Sequence, residues 1–367
     1  MVENIDFLNN PDLLKALSTK FKEPIISATS DLKFMQGGTV AQVYLVTGIA
    51  HNDMNVARDY KIVLKIQNYW ERPNDTHSWR REYDLYTLNK DLHLTSKLHI
   101  PRCYLALIRK KTTYLWLEYV QGYSGLELTT DMLEETAYEL GRFQGLTIAN
   151  KNQSILMENF TGVDFLEKEL TQWYWQTYDY QFLCSKDSNL PLHVKEMLKR
   201  NDWDDESSII YHYLRHKECN LPKHLKDMIY HIDDHKDSIF KYFSSFPSVI
   251  NHRDFWIENI IYDNSMIYLI DCDCIGFGYL GEDLASLIGD DTLTENLMVY
   301  FERLIPAYNR GIAEFQNIVI DAKMIHEIIL IKYGYRLIQN HMFTNDDNQK
   351  EDIQSRLQVL FDILNKK

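Results

Sequence analysis

Apolar positions follow two different periods along the chain. Ile5, Leu8, Leu13, Leu14 and Leu17 recur at roughly helical spacing, which predicts an amphipathic helix over residues 4–21. The period then shortens. "LKFMQGGTVAQVYLVTG" alternates apolar and polar residues around Gly37-Gly38, and "KIVLKIQ" and "TTYLWLEYV" have short β-prone cores, so residues 31–120 predict a small sheet. Within it, Trp79, Tyr83, Tyr86 and Leu88 of "SWRREYDLYTLNKDL" share a helical face, which places a helix after the third strand. From Met132 onward the pattern is helical, through "LEETAYELGRFQGLT", through the aromatic and charged segment 151–248, and again from 292 to the end. The exception is "INHRDFWIENIIYDNSMIYLIDCD", Ile250 to Asp273, which reads as a hairpin of two apolar runs around Asp263-Asn264-Ser265. Gly122 and Ser124-Gly125 mark a hinge between a strand-rich N-terminal part and a helical C-terminal part.

Charge sharpens this division. The net charge is −14, and it is skewed: residues 1–150 carry 17 basic and 18 acidic side chains, residues 151–250 carry 12 and 16, and residues 251–367 carry 10 and 19. A nucleic-acid partner is disfavoured because such proteins present a basic face, whereas a cationic partner would be drawn toward the C-terminal part. No apolar run approaches a membrane span and the N-terminus lacks a signal-peptide layout, so a cytoplasmic protein without membrane association is expected, as a monomer or a dimer. The five cysteines are odd in number and show no zinc-type spacing, which favours free thiols.

The hairpin carries the chemistry. Asp254 and Asn259 precede its first strand and Asp271 emerges from its second, so oxygen-bearing side chains gather at one end of a two-stranded ribbon. Burying carboxylates there is costly unless a cation or a set of donors compensates. An Asn and an Asp so placed suit Mg²⁺, which shares its octahedron with water and phosphate. Asp254 then remains to orient or deprotonate a hydroxyl nucleophile.

"HRDFWIEN", "LIDCD" and "LGEDLASLI", in that order and spacing, resemble the catalytic loop, metal site and following helix of the protein-kinase-like phosphotransferases, within them the aminoglycoside, choline and related small-molecule kinases. The resemblance implies an α+β, bilobal protein-kinase-like fold with an N-terminal antiparallel sheet plus helix and a mainly helical C-terminal lobe. It implies a nucleotide-binding lobe over 1–118, a hinge at 119–125, and a catalytic lobe over 126–367 with an acceptor-binding helical insert at about 150–248. Lys65 of "KIVLKIQ" takes the place of the lysine that touches the α- and β-phosphates, with Glu82 as its ion-pair partner. "MQGGTVAQVYLV" is similar to the phosphate-covering loop, where Gly37 and Gly38 admit phosphate to the backbone, although the same glycines would serve a plain hairpin turn. In "LWLEYVQG" the Glu118 carbonyl and Val120 amide would address the adenine edge. The implied cofactors are ATP, with GTP also open, and Mg²⁺ on Asn259 and Asp271, the strand-end position favouring Asp271 over Asp273 as the metal aspartate.

His252 is expected to prop the loop, Arg253 to be a local salt-bridge or hydrogen-bond partner, and Asp283 to tie the loop or start the next helix. The short stretch from Asp271 to Asp283 leaves no room for a protein-kinase activation segment, and the helical insert points to a small hydroxylated acceptor. The acidic C-terminal part makes a cationic acceptor of the aminoglycoside type the leading class; Trp175, Tyr178 and Asp179 are chemically suited to contact it, in a segment that reads first as packing between helices. Choline, amino alcohol, homoserine and sugar kinases share the same parts. A non-catalytic pseudokinase would have lost one of Lys65, Asp254, Asn259 or Asp271, and all four are present.

Overall fold

A computed structural model describes residues 11–35, 41–72, 75–88, 94–149, 165–170, 209–290 and 292–365. The described chain forms two compact units that interrupt one another in sequence. Of the described residues, one unit takes in those up to 129 and 257–275, and the other takes in 130–149, 165–170, 209–256 and those from 276 on.

The first unit is built on a six-stranded antiparallel sheet. Its strands are β1 (Ile25–Ala28), β2 (Asp31–Met35), β3 (Ala41–Asn52), β4 (Ala57–Asn68), β6 (Cys103–Arg109) and β7 (Thr112–Glu118). β4 lies between β3 and β7, β6 flanks β7, and β1 and β2 both pair with β3. The β3–β4 turn is encoded locally: the Asn52 side chain accepts the amides of Met54 (3.1 Å) and Val56 (2.8 Å), and Asn55 takes a left-handed φ of 61°. Helix α1 (Pro11–Phe21) buries Leu13, Ala16 and Leu17 against Val46, Tyr60, Ile62, Leu64 and Trp116 of the sheet. Each fully buried leucine of that layer contributes about 2–3 kcal/mol. Residues 4–10 of the expected N-terminal helix lie outside the described residues.

Alternation sends the other residues of β4, including Lys65 and Gln67, to the opposite face, and both are buried there. Helix α2 (Arg81–Leu88) follows β4, one strand later than the apolar pattern predicts. The additional strand is the four-residue β1, too short to show a period. The hairpin of β9 (Ile260–Asp263) and β10 (Met266–Leu269) turns through Asn264 and Ser265, both with positive φ as a tight right-twisting hairpin requires. β10 also pairs in parallel with β5 (Leu98–His99), which ties the hairpin to this unit.

The second unit is helical. Its described helices are α3 (Thr130–Ala149), α4 (Phe165–Leu170), α5 (Ile209–Arg215), α6 (Lys223–Phe243), α7 (Glu282–Gly289), α8 (Thr294–Ala313), α9 (Ala322–Ile329), α10 (Tyr335–Phe343) and α11 (Asp347–Asn365), with a π-helical turn over Leu330–Gly334. A two-stranded ribbon, β8 (Val249–Asn251) with β11 (Gly276–Gly278), is set among them. All eight residues of α7 are buried, so its polar groups need internal partners. None of the described helices is long and apolar enough to cross a membrane.

α3 and α8 approach closely because glycine faces backbone at their crossing. A Cβ added at Gly311 would lie 2.1 Å from the Tyr138 carbonyl oxygen, and one at Gly141 would lie 2.1 Å from that of Tyr308. Neither neighbour can rotate away, since both are helix backbone. Gly311→Ala should therefore force the helices apart and lower stability by at least about 1–3 kcal/mol, the usual cost of overpacking. Urea unfolding of variant and parent measures it, and an unchanged midpoint would contradict the close packing.

Candidate active site

Lys65 meets two carboxylates in the first unit. Its ammonium lies 2.5 Å from Glu82 Oε2 and 2.5 Å from Asp271 Oδ1, with only 8% of the lysine side chain exposed. β4 supplies the lysine, the second residue of α2 the glutamate, and the end of β10 the aspartate. Burial works against the lysine's charge, but Glu82, Asp271 and Asp273 outweigh it and hold the pKa well above its ordinary value. Lys65 therefore stays cationic.

Asp271 adopts a left-handed φ of 60°, which an aspartate tolerates better than most residues, and then the chain enters the 3₁₀ turn Cys272–Cys274. That turn separates the two aspartates. The Asp271 side chain is 31% exposed, whereas Asp273 is 14% exposed and its Oδ2 accepts from Arg72 Nη2 at 3.1 Å. Arg72 also donates to Asp75 (3.1 Å), and Asp75 in turn receives two bonds from Arg81 (2.8 and 2.5 Å). Burial and the neighbouring Asp271 raise the Asp273 carboxyl, with Lys65 and Arg72 opposing. Burial likewise pushes the Cys272 thiol well up, which argues against a reactive thiolate.

Asn259 ends a 3₁₀ turn just before β9, and its carbonyl accepts the Ile270 amide at 3.0 Å. The hairpin thus brings Asn259 and Asp271 to the same end of the ribbon. Among the described residues there is no group of three or more His, Cys, Asp or Glu suited to a metal. One amide oxygen and one carboxylate suit Mg²⁺, whose other positions go to phosphate and water, so these donors fit such an ion. Glu118 closes β7 opposite Ile62 and accepts the Arg102 amide at 3.1 Å, and Val120 follows, half-buried. Gly37, Gly38, Trp175, Tyr178 and Asp179 lie outside the described residues.

The second unit holds Asp254 through its backbone. Asp283, at the second position of α7, accepts the His252 amide at 2.7 Å and the Arg253 amide at 2.8 Å. Arg253 has a left-handed φ of 69°, its guanidinium donates to the Phe277 carbonyl, and it sits 4.3 Å from the centre of the Phe165 ring. His252 is buried with its ring edge-on to Phe255. Behind the loop, Asn251 Oδ1 accepts from Gln144 (3.0 Å) and from the Asp283 amide (3.3 Å), and Gln144 Oε1 accepts from the Tyr308 hydroxyl. Asp254 itself is half-buried.

Arg72, Gln144, Asn251 and Tyr308 were not singled out by sequence reasoning. Asn251 has only a weak local mark, directly after the apolar pair Val249-Ile250, and Arg72 and Gln144 have none. A shallow depression of about 600 Å³ on α3 and α8 contains none of these residues, and its Arg303 and Arg310 are paired with its own Asp131 and Glu134.

A family model described as the phosphotransferase enzyme family matches residues 37–316. No curated protein matches the chain. Among solved structures, the choline kinase from Cryptosporidium parvum Iowa II is similar with a TM-score of 0.55 and 14% identity, over 92% of this chain and 90% of that one. A microcompartment-associated aminopropanol kinase reaches 0.48 and 13% over 91% and 90%, and the aminoglycoside phosphotransferase APH(4)-Ia reaches 0.48 and 16% over 96% and 98%. The likeness to the choline kinase is one of fold, and that fold is protein-kinase-like.

Asp283 offers a test of the loop tie. Burial pushes its carboxyl up to about 6, although His252 and the two donated amides act the other way. A raised carboxyl binds its proton more tightly in the folded state, so its contribution to stability is greatest below the unfolded value near 4 and is lost as pH rises to about 6. Asp283→Asn lacks this titration. Between pH 4 and 7 the parent should lose up to about 3 kcal/mol relative to the variant, at ~1.4 kcal/mol per tenfold change. Urea unfolding of both proteins across that range checks it, and a constant difference would refute it.

Proposed function

The chain belongs to the phosphotransferase enzyme family and is a small-molecule kinase acting on a hydroxyl acceptor, and from that premise we propose that it moves the γ-phosphate of ATP to a cationic acceptor of the aminoglycoside type. The observation that carries the kinase chemistry is the buried Lys65 between Glu82 and Asp271. A lysine kept charged without solvent is suited to receive phosphate oxygens, since its charge is already oriented and desolvated. Glu82 steers the ammonium and Asp271 shares it. Glu118 and Val120 would present backbone groups to the adenine, and Gly37 and Gly38 would cover the phosphates.

Mg²⁺, held by Asn259 and Asp271, would supply charge neutralisation at the β- and γ-phosphates. Asp254 orients the acceptor hydroxyl for in-line attack and accepts its proton as the new O–P bond forms and the bond to ADP breaks. Asp283 and His252 support that loop without touching the reactants. Asp273, engaged by Arg72, is the less suited of the two aspartates to hold the ion.

The acceptor class rests on charge. The segments beyond residue 150 carry 22 basic and 35 acidic side chains, so a polyamine is steered toward them and gains charge-assisted hydrogen bonds. Trp175, Tyr178 and Asp179 have the chemistry to stack on a ring and pair with an ammonium.

An ATP-consumption screen against aminoglycosides, choline, amino alcohols and sugars tests the assignment. With whichever acceptor turns over, Asp254→Ala should lower kcat by about 10²–10⁴-fold while nucleotide affinity stays within about twofold, because only proton transfer and orientation are lost. Equal turnover would end the catalytic role of Asp254.

The acceptor's KM should rise with ionic strength as salt screens the field over about 10 Å at 0.1 M, and neutralising Asp179 should weaken that dependence. A neutral acceptor with better kcat/KM, or a KM indifferent to salt, would move the assignment to a kinase of an uncharged metabolite.

A further inference from the structure

Lys332 stands in an otherwise uncharged run, "IILIKYGY", and only 5% of its side chain is exposed. It lies in the π-helical turn Leu330–Gly334 between α9 and α10. Such wide turns are uncommon and recur at functional sites. Its ammonium donates to the Arg253 carbonyl at 2.9 Å and to Ser286 Oγ at 2.9 Å, and lies 3.9 Å from Oε1 of the fully buried Glu282.

The contact with Arg253 is unusual in where it falls. Arg253 is the residue before Asp254, and its left-handed φ of 69° costs a side-chain-bearing residue roughly 1–2 kcal/mol. Its amide is held by Asp283 and its carbonyl by Lys332. The two peptide units that flank Arg253, the second of which leads into Asp254, are thereby each held by a buried charge of opposite sign, borne by different helical elements.

We infer that Lys332 is a positioning residue for phosphoryl transfer: by gripping the Arg253 carbonyl it holds the peptide that aims the Asp254 carboxylate. The inference rests on reading Asp254 as the group that orients the acceptor hydroxyl. Without the ammonium, the carbonyl loses its charged donor, the strained residue is free to relax, and the Asp254 side chain shifts with the peptide. A displacement of about 1 Å at a reacting group is worth about 10² in rate. The groups that Lys332 holds, Arg253 and Ser286, are not among those read as contacting nucleotide, so nucleotide affinity should be kept.

The experiment compares the full-length parent with Lys332→Met and Lys332→Arg, measuring steady-state kinetics and amide hydrogen exchange by mass spectrometry. In Lys332→Met, kcat should fall about 100-fold with the KM for ATP kept within about twofold, and exchange should accelerate at residues 252–256 and not in β4 or α2. Lys332→Arg, which keeps the cation with a different reach, should lie between the two on both readouts. A folded Lys332→Met with parental kcat and parental exchange at 252–256 overturns the proposal, as does a loss that falls on KM alone. Should Lys332→Met not fold, Lys332→Arg decides. Faster exchange confined to 252–256 with lower kcat supports the clamp, and parental behaviour or exchange spread through the core overturns it. If the parent turns over no acceptor, the reading of Asp254 fails on that ground, while exchange at 252–256 still shows whether Lys332 holds the loop.

Discussion

An ammonium removed from water must find its counter-charges inside the protein, and Lys65 finds them on segments remote from it in sequence. The cost of stranding one buried charge, about 3–5 kcal/mol, is large against the net stability of a folded domain. That requirement draws together β4, α2 and the end of the β9–β10 hairpin through Glu82 and Asp271. It extends outward as well. Asp273 is matched by Arg72, Arg72 by Asp75, and Asp75 by the buried Arg81, so each charge in the network has an opposite neighbour.

The same network separates two aspartates that look equivalent in "IDCDC". Asp271 leaves its strand in a left-handed conformation with its carboxylate partly open to solvent, and Asp273 is turned into the arginine. A phosphate-bound cation needs accessible oxygen, and a carboxylate in a tight arginine pair has less to give. Accessibility therefore divides the pair, with one aspartate facing outward and the other serving the frame.

In the helical unit the constraint is on the backbone. Asp254 follows a residue in a conformation that the chain would not choose, and the surrounding groups over-determine it: Asp283 on two amides, Lys332 on a carbonyl, and Asn251 and Gln144 behind. Strain of this kind survives only where neighbours hold it, and it recurs where a side chain must be aimed. The closeness of α3 and α8 through Gly141 and Gly311 brings Tyr308 within reach of Gln144 and so completes that support.

Much of this was legible in the chain. The period-2 runs foretold the sheet and Asp-Asn-Ser foretold the hairpin, because those signals are local and arise from side-chain alternation and turn conformations, while the spacing of "HRDFWIEN" and "LIDCD" carried the resemblance to the family that the chain belongs to. The pairing of Lys65 with Glu82 was reached only through resemblance, since no helical or strand period links the two positions. Arg72 against Asp273 and Lys332 on the Arg253 carbonyl were not reached at all. "IILIKYGY" shows a charge where none is expected but not its partner. The sequence by itself determined the elements, their faces and the residue types at the hairpin's end. Tertiary structure decided which buried charge answers which, because counter-charge selection depends on distance in space between segments whose separation along the chain carries no period.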